Sequence, residues 1–382
     1  MKIGLVVPGF SAHEQDWCIP ALLDYVRALA RLAEVHVFTL RWPERGGAYP
    51  VYGATVRALD GRKRLGPRVV ALWARAVRAI AVEHRRGSFD ALHAFWLDEP
   101  GWVAAWAARR LGVRAVLSLA GGELSRMPDI GYGLQLWPGR GALVRWCARQ
   151  AAVVTAGSRA YAAVAESHFA AHGLKFPVVV APLGVDLDRF QPRPAGPGAA
   201  QRLINVGALA PVKDQALLLR AFRRVAAVRP TAELVIVGEG ALRSDLEAQA
   251  AGLPVRFAGA VPHADLPAWY ANAAVCVQTS RHEAQGLAVL EAAACGLPVV
   301  GTPVGVLPEV GRAAAAEAEL ARVLLELLAD DTQRRALAAA GQAVVRARFG
   351  LAGAVERFLA LYANSASPAP AGAPGAPAHT PG

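Results

Sequence analysis

The chain has 382 residues, with 41 Lys+Arg against 30 Asp+Glu and a formal net charge of +11. An apolar share of 54% against 19% charged excludes a wholly disordered chain. Four scattered cysteines with no C-x-x-C pair argue against a disulfide scaffold or a thiolate zinc site, so a reducing, cytoplasmic setting is expected.

In chain order, Ile3–Pro8 reads as a first β-strand. Lys2 before an apolar run imitates a signal peptide, but the run is short, and Glu14 and Asp16 follow without a cleavage pattern. Further strands are predicted at Val35–Leu40, Ala91–Phe95, Ala115–Leu119, Val153–Ala156 and Val178–Ala181. Helices are predicted between them at Pro20–Ala33, Pro67–Arg85, Pro100–Leu111, Gly141–Gln150 and Arg159–His172. No apolar run reaches the roughly 18 residues of a membrane span without a charge. Strand-helix alternation implies a parallel sheet covered on both faces.

Gln191–Ala200 holds three prolines and two glycines and reads as a linker. The pattern then restarts. Strands are predicted at Leu203–Val206, Leu234–Val237, Val255–Ala258, Val275–Gln278 and Pro298–Gly301. Helices are predicted at Gln215–Val228, Ala241–Ala251, Ala264–Asn272 and Leu287–Cys295, and helical composition runs from Ala314 to Tyr362. The expected division is a first domain over 1–190, a linker over 191–201, a second domain over 202–345, a last helix over 346–364 and an Ala/Pro/Gly tail over 365–382. The fold class is α/β, with two Rossmann-like, doubly wound parallel-sheet domains facing across a cleft.

Charge is unevenly shared. Residues 1–195 hold 25 Lys+Arg and 15 Asp+Glu, whereas residues 196–382 hold 16 and 15. The excess belongs to the first domain. Arg57, Arg62, Lys63, Arg64 and Arg68 cluster ahead of an amphipathic helix carrying Arg75, Arg78, Arg85 and Arg86. Residues 57–86 are therefore a candidate surface for an anionic membrane. The alternative is a core-packed helix with a solvated basic face. No recognised nucleic-acid motif accompanies the patch, so nucleic acid is not an expected partner.

Ligands of open α/β sheets bind beyond the carboxyl ends of the strands. A dinucleotide fingerprint fails at Gly238-Glu239-Gly240-Ala241-Leu242-Arg243, where Arg243 takes the third glycine's place, and no Walker A sequence is present. The richest segment is Ser280–Glu309. A strand ends near Thr279, a loop carries Glu283, and Gly286 opens a helix bearing Glu291. A helix start suits a phosphate, and carboxylates suit sugar hydroxyls. Spacing alone decides little, because Glu239/Glu247 and Glu309/Glu317 are also eight apart.

Glu283 and Glu291 in this context resemble the E-x7-E signature of the retaining glycosyltransferases of family four, which have the GT-B fold. Val206-Gly207-Ala208-Leu209 with Lys213-Asp214, Val235–Gly240, Phe257-Ala258-Gly259 with Leu266, Tyr270 and Ala273, and Pro182–Asp186 with Phe190 agree in order. The resemblance is strong over about 150–310 and weaker but collinear before.

The resemblance implies that the second domain binds a UDP- or GDP-linked sugar, a co-substrate with no separate cofactor or metal. The first domain would receive a sugar, lipid-linked or small-molecule hydroxyl acceptor, or a precursor of a cell-surface glycan. Glu283 and Lys213 would be catalytic, at the transferred sugar and the departing diphosphate. Glu291 would hold the ribose. Gly9, Gly238, Gly240, Val261, Ala284, Gln285, Gly286 and Leu287 would complete the donor site. The last helix would return to the first domain. Acceptor-side candidates are His93, Gly122 and Glu123.

Three departures stand out. Ala208 replaces an Arg that many relatives pair with the Lys. Ser118-Leu119-Ala120-Gly121-Gly122-Glu123 lacks their His. The segment after Glu309 is short and alanine-rich. Rival readings are a GT-B sugar-nucleotide epimerase or phosphorylase, and a non-catalytic binding protein at a membrane.

Overall fold

The computed structural model describes residues 1–363 apart from 15, 17 and 63–66. The expected tail and two members of the basic cluster, Lys63 and Arg64, lie outside the described residues.

The first unit runs β1 (Lys2–Gly9), α1 (Pro20–Leu29), β2 (Glu34–Trp42), β3 (Gly46–Val51), β4 (Ala54–Leu59), α2 (Pro67–Arg86), β5 (Ala91–Phe95), α3 (Glu99–Leu111), β6 (Arg114–Leu119), α4 (Arg140–Gln150), β7 (Val153–Ala156), α5 (Arg159–Ala170) and β8 (Val178–Val180). Its sheet has the order β3-β4-β2-β1-β5-β6-β7-β8, parallel except at β3. Ile3, Leu5, Val6 and Val7 are all fully buried, as a strand covered on both faces requires.

The second unit runs β9 (Arg202–Val206), α6 (Gln215–Val228), β10 (Glu233–Val237), α7 (Arg243–Gln249), β11 (Val255–Gly259), α8 (Leu266–Ala271), β12 (Val275–Gln278), α9 (Leu287–Ala294), β13 (Val299–Gly301), α10 (Leu307–Val310), β14 (Arg312–Ala313), α11 (Glu317–Ala329), α12 (Asp331–Arg348) and α13 (Leu351–Ala363). Its sheet is β11-β10-β9-β12-β13-β14, with parallel pairing.

Some elements differ from expectation. The β3–β4 hairpin falls in a segment without a strong apolar run. It turns at Tyr52-Gly53, both at positive φ (46° and 84°), which suits the right-handed twist of a hairpin. Pro50 is tolerated there because β3 is an edge strand. The helix expected over Ala241–Ala251 shortens to Arg243–Gln249, and that over Ala264–Asn272 opens with a 3-10 turn at His263–Asp265.

The chain crosses back between α12 and α13. Val185 N–H donates to the Phe349 carbonyl at 2.8 Å, and Leu351 N–H donates to the Val185 carbonyl at 2.9 Å. A Cβ on Gly184 would lie 2.4 Å from Leu351 Cα, so only glycine admits this crossing. α13 then packs on the first unit, where Val355, Phe358 and Tyr362 join a core with Tyr25 and Phe95.

Helix α2 turns its apolar stripe inward. Leu72, Ala76 and Ile80 are fully buried in the first unit's core. That face is taken up by the core, so α2 is the core-packed helix of the alternative reading, with its basic side left at the solvent. Within the basic cluster, Arg57 pairs with Glu83 and Arg62 with Asp60. Among the described residues no helix is long and apolar enough to cross a membrane.

Candidate active site

The strand order of the second sheet reverses between β9 and β12, and both key side chains follow these strands. Lys213 closes the 3-10 turn Pro211–Lys213 after β9, and Glu283 lies on the loop after β12. A switch point separates the loops on either side of it and opens a crevice. Here the Lys213 ammonium bonds Glu283 Oε1 across that crevice. The same oxygen accepts from Gln278 Nε2 at 2.8 Å and from Ser280 Oγ at 2.7 Å.

Glu291 lies one helical stretch further on. Gly286, at φ 94°, caps α9 and sets the direction in which the helix starts. The first N–H groups of a helix have no partners within it and carry its positive dipole end. Glu291 Oε1 accepts from His263 Nε2 at 2.7 Å, and Oε2 from the Tyr270 hydroxyl at 3.4 Å.

The structure separates the three glutamate pairs that spacing left equal. Side-chain exposure is 12% at Glu283 and 9% at Glu291, but 48% at Glu239 and 46% at Glu247. Arg243 bonds both of the latter. Glu317 pairs with Arg220 and Arg224 on the surface, and Glu309 with Arg348.

Gly238 and Gly240 serve a close approach of two loops. A Cβ on Gly238 would fall 2.0 Å from the Gly207 carbonyl oxygen, and one on Gly240 2.3 Å from that of Leu209. The loops after β9 and β10 are thereby stitched together by Gly207 N–H to the Val237 carbonyl and Leu209 N–H to the Glu239 carbonyl. The Ala208 carbonyl accepts from Gln215 Nε2 at 3.0 Å. Val261 is half-buried against the core that holds Tyr270 and Leu290. Gly9 is buried at the end of β1, where a Cβ would meet Trp42 Cβ at 3.1 Å.

Ala284 and Gln285 join the two units. The Ala284 carbonyl accepts from Ser158 Oγ at 3.0 Å, and the Gln285 amide exchanges two hydrogen bonds with the backbone of Leu183. Leu287 begins α9 and is half-buried.

The acceptor-side candidates fare differently. His93 is fully buried, with Nδ1 2.6 Å from the Tyr362 hydroxyl and Nε2 2.8 Å from Ser118 Oγ. Burial pushes its pKa down to about 3. It belongs to a buried chain running from Tyr25 through Tyr362 and Ser118 to Thr155, not to the cleft wall. Glu123 is also buried and accepts from the N–H groups of Leu97, Ala120 and Gly121. It shapes its own loop, and burial raises its pKa. Gly122 lies under the Tyr132 ring, where a Cβ would come within 2.9 Å.

Sequence reasoning passed over three neighbours. His282 Nε2 sits 2.9 Å from the Gly121 carbonyl oxygen, between the rings of Tyr132 and Tyr161. Arg281 pairs with Asp129 across the cleft. His263 links Glu291 to Arg189, whose guanidinium grips Asp24 of α1. The run Ser280–Glu283 was the available signal for the first two; nothing in the sequence marked His263. Tyr132 stays protonated, its pKa pushed to about 12 by burial and then by Glu123 and Glu283. Among the described residues no group of three His, Cys, Asp or Glu side chains is arranged to hold a metal.

Two parallel-sheet α/β units meeting at a strand-switch cleft define the GT-B class. Sucrose-phosphate synthase from Thermosynechococcus elongatus superposes with a TM-score of 0.73 at 19% identity, covering 94% of this chain and 98% of its own. At that identity the likeness shows the fold alone.

Residues 21–189 match the family described as Glycosyltransferase Family 4, and residues 200–330 match Glycosyl transferases group 1. The D-inositol 3-phosphate glycosyltransferase of Frankia alni is 31% identical over 91% of this chain and 94% of its own length. The chain belongs to glycosyltransferase family 4. A GDP-mannose-dependent monoacylated alpha-(1-6)-phosphatidylinositol monomannoside mannosyltransferase of Corynebacterium glutamicum is 33% identical over 44% of this chain. There the chain spans only 51% of the relative.

Proposed function

We propose that this chain transfers a glycosyl group from a nucleoside-diphosphate sugar to a hydroxyl acceptor, with retention at the anomeric carbon and no metal requirement. The observation that carries this reading is the Lys213–Glu283 pair at the switch point, with α9 opening beside it. In the reaction the bond between the anomeric carbon and the diphosphate oxygen breaks, and the oxygen keeps the electron pair. Lys213 and the start of α9 stabilise that developing charge, which is where fixed positive groups act most strongly. The acceptor oxygen bonds the anomeric carbon from the same face and gives its proton to the departing diphosphate. Glu283 holds the sugar hydroxyls, and Glu291 holds the ribose.

Relatives named for GDP-mannose and inositol phosphate support a donor of this class and a polyol acceptor, free or lipid-linked. A lipid-linked acceptor places the enzyme at the inner face of the cell membrane. Donor and product are tested together. A thermal-shift panel of UDP, GDP and their sugars identifies the donor, because a ligand that binds only the native state raises the melting temperature. Product anomers are then read by NMR with and without a chelator. An inverted product, or turnover abolished by chelation and restored by a divalent ion, overturns the corresponding part.

A further inference from the structure

The first unit's positive charge gathers on one helical layer that the cleft chemistry does not use. α3 packs between α2 and α4 over the first sheet. These three helices contain ten arginines and only two carboxylates, Glu83 and Glu99. Both carboxylates are buried and already paired, Glu83 with Lys2 and Arg57 and Glu99 with Arg41. Arg86 also bonds Glu83, at 3.3 Å, and the layer keeps a large excess of positive charge over these two carboxylates.

The same layer carries a connected set of indoles. Trp73 of α2 meets Trp102 of α3 at 4.7 Å between ring centroids. Trp102 stacks on Trp106, one turn along, at 5.5 Å and an interplanar angle of 9°. Trp146 of α4 lies 6.1 Å from Trp106. All four are half-buried, and the Arg110 guanidinium lies over Trp106 at 5.2 Å. Trp73, Trp102 and Trp146 pack against the first unit's core yet stay half-exposed beside the arginines of the layer.

A fifth indole extends this face to the cleft. Trp137 is 64% exposed and follows the 3-10 turn Leu134–Leu136, which packs on α4. The same turn is tied to the cleft loop, since Leu134 N–H donates to the Gly122 carbonyl at 2.9 Å and Gln135 Nε2 to the Glu123 carbonyl at 2.6 Å.

We propose that the Trp–Arg face of α2, α3 and α4, with Trp137 at its cleft edge, docks on an anionic lipid surface. Indoles prefer the headgroup level of a bilayer, and arginines near an anionic leaflet add about fivefold each to partition. The charge chooses the occupant: a net cationic face with aromatic anchors fits anionic headgroups. α2 contributes by its basic side while its apolar stripe stays on the sheet, so no helix has to unpack. The inference goes beyond the reading of the cleft, and its test is independent of nucleotide binding.

The full chain is floated with vesicles of phosphatidylcholine alone and of phosphatidylcholine with phosphatidylglycerol in equal parts. Binding to the anionic vesicles only, weakened by salt, is expected. Arg75→Glu/Arg78→Glu/Arg109→Glu/Arg110→Glu should lower that binding by well over tenfold, on the order of fivefold per position. Trp106→Ser/Trp137→Ser should lower it several-fold and shrink the blue shift of tryptophan emission on binding. A melting temperature equal to that of the parent shows that each variant is folded. If the reversed variant melts early, Arg75→Gln/Arg78→Gln/Arg109→Gln is read in its place. No flotation of the parent, equal flotation with both vesicles, unchanged binding by the folded variants, or tighter binding to an oligonucleotide than to anionic vesicles would each overturn the proposal.

Discussion

Lys213 and Glu283 neutralise each other across the switch point of the second sheet, and Gln278 and Ser280 hold the same Glu283 oxygen. The two side chains come from loops after adjacent strands, 70 positions apart in sequence. Their mutual bond holds both side chains in the crevice.

Removing either partner has opposite effects on nucleotide binding. Lys213→Ala should weaken nucleoside diphosphate binding and lower turnover by about a hundredfold or more, the scale of losing one leaving-group stabiliser. Glu283→Gln should also lose turnover, yet bind the free diphosphate at least as tightly, because a negative neighbour of Lys213 is gone. Calorimetric titration of both variants reads this. Weaker diphosphate binding by Glu283→Gln would count against the assignment.

Glu291 should matter through the ribose alone. Its carboxylate is nearly enclosed, between His263 and Tyr270. Hydrogen bonds to charged groups suggest a loss of about tenfold in nucleotide affinity for Glu291→Gln. The same substitution should leave the affinity for a 2′,3′-dideoxynucleotide unchanged. An equal loss for both nucleotides would show that Glu291 acts by supporting the fold.

The loop contact at Gly240 predicts a structural failure. A methyl group 2.3 Å from the Leu209 carbonyl forces the loops after β9 and β10 apart. Gly240→Ala should cost about 1–3 kcal/mol, seen as a lower urea midpoint, with nucleotide affinity falling as well. Unchanged stability would mean that the two loops part freely.

His93 gives the stability of the fold a pH dependence. Its pKa is near 3 in the folded chain against an ordinary 6.5, so the unfolded state binds the proton between these values. Stability is therefore lost as pH falls below 6.5. The loss amounts to about 2 kcal/mol by about pH 5. Asp98 opposes this, since burial raises its pKa to about 7 and its share of stability is lost as pH rises. The difference between the parent and His93→Gln isolates the histidine. Urea midpoints should converge as pH drops from neutral toward 5, and parallel curves would refute the assignment.

The strands were readable because a strand buried on both faces must be apolar throughout, as Ile3–Val7 and Leu234–Val237 are. The β3–β4 hairpin was not readable. It is an edge element held by turn geometry at Tyr52-Gly53, and edge strands need no apolar run. Glu283 stood out by its place after a strand and before a glycine-capped helix. His263 did not, because its role depends on a residue 28 positions away.

The sequence alone determined the two α/β halves, the family resemblance and the bias of charge toward the first half. These follow from composition, periodicity and local motifs. Only the tertiary structure decided which glutamates are enclosed, that His93 is sealed behind Tyr362, and that α2 turns its apolar stripe inward. It also gathered the arginines of three helices with five indoles on one face. Such facts rest on contacts between distant segments, and burial and charge compensation are properties of those contacts rather than of the residues themselves.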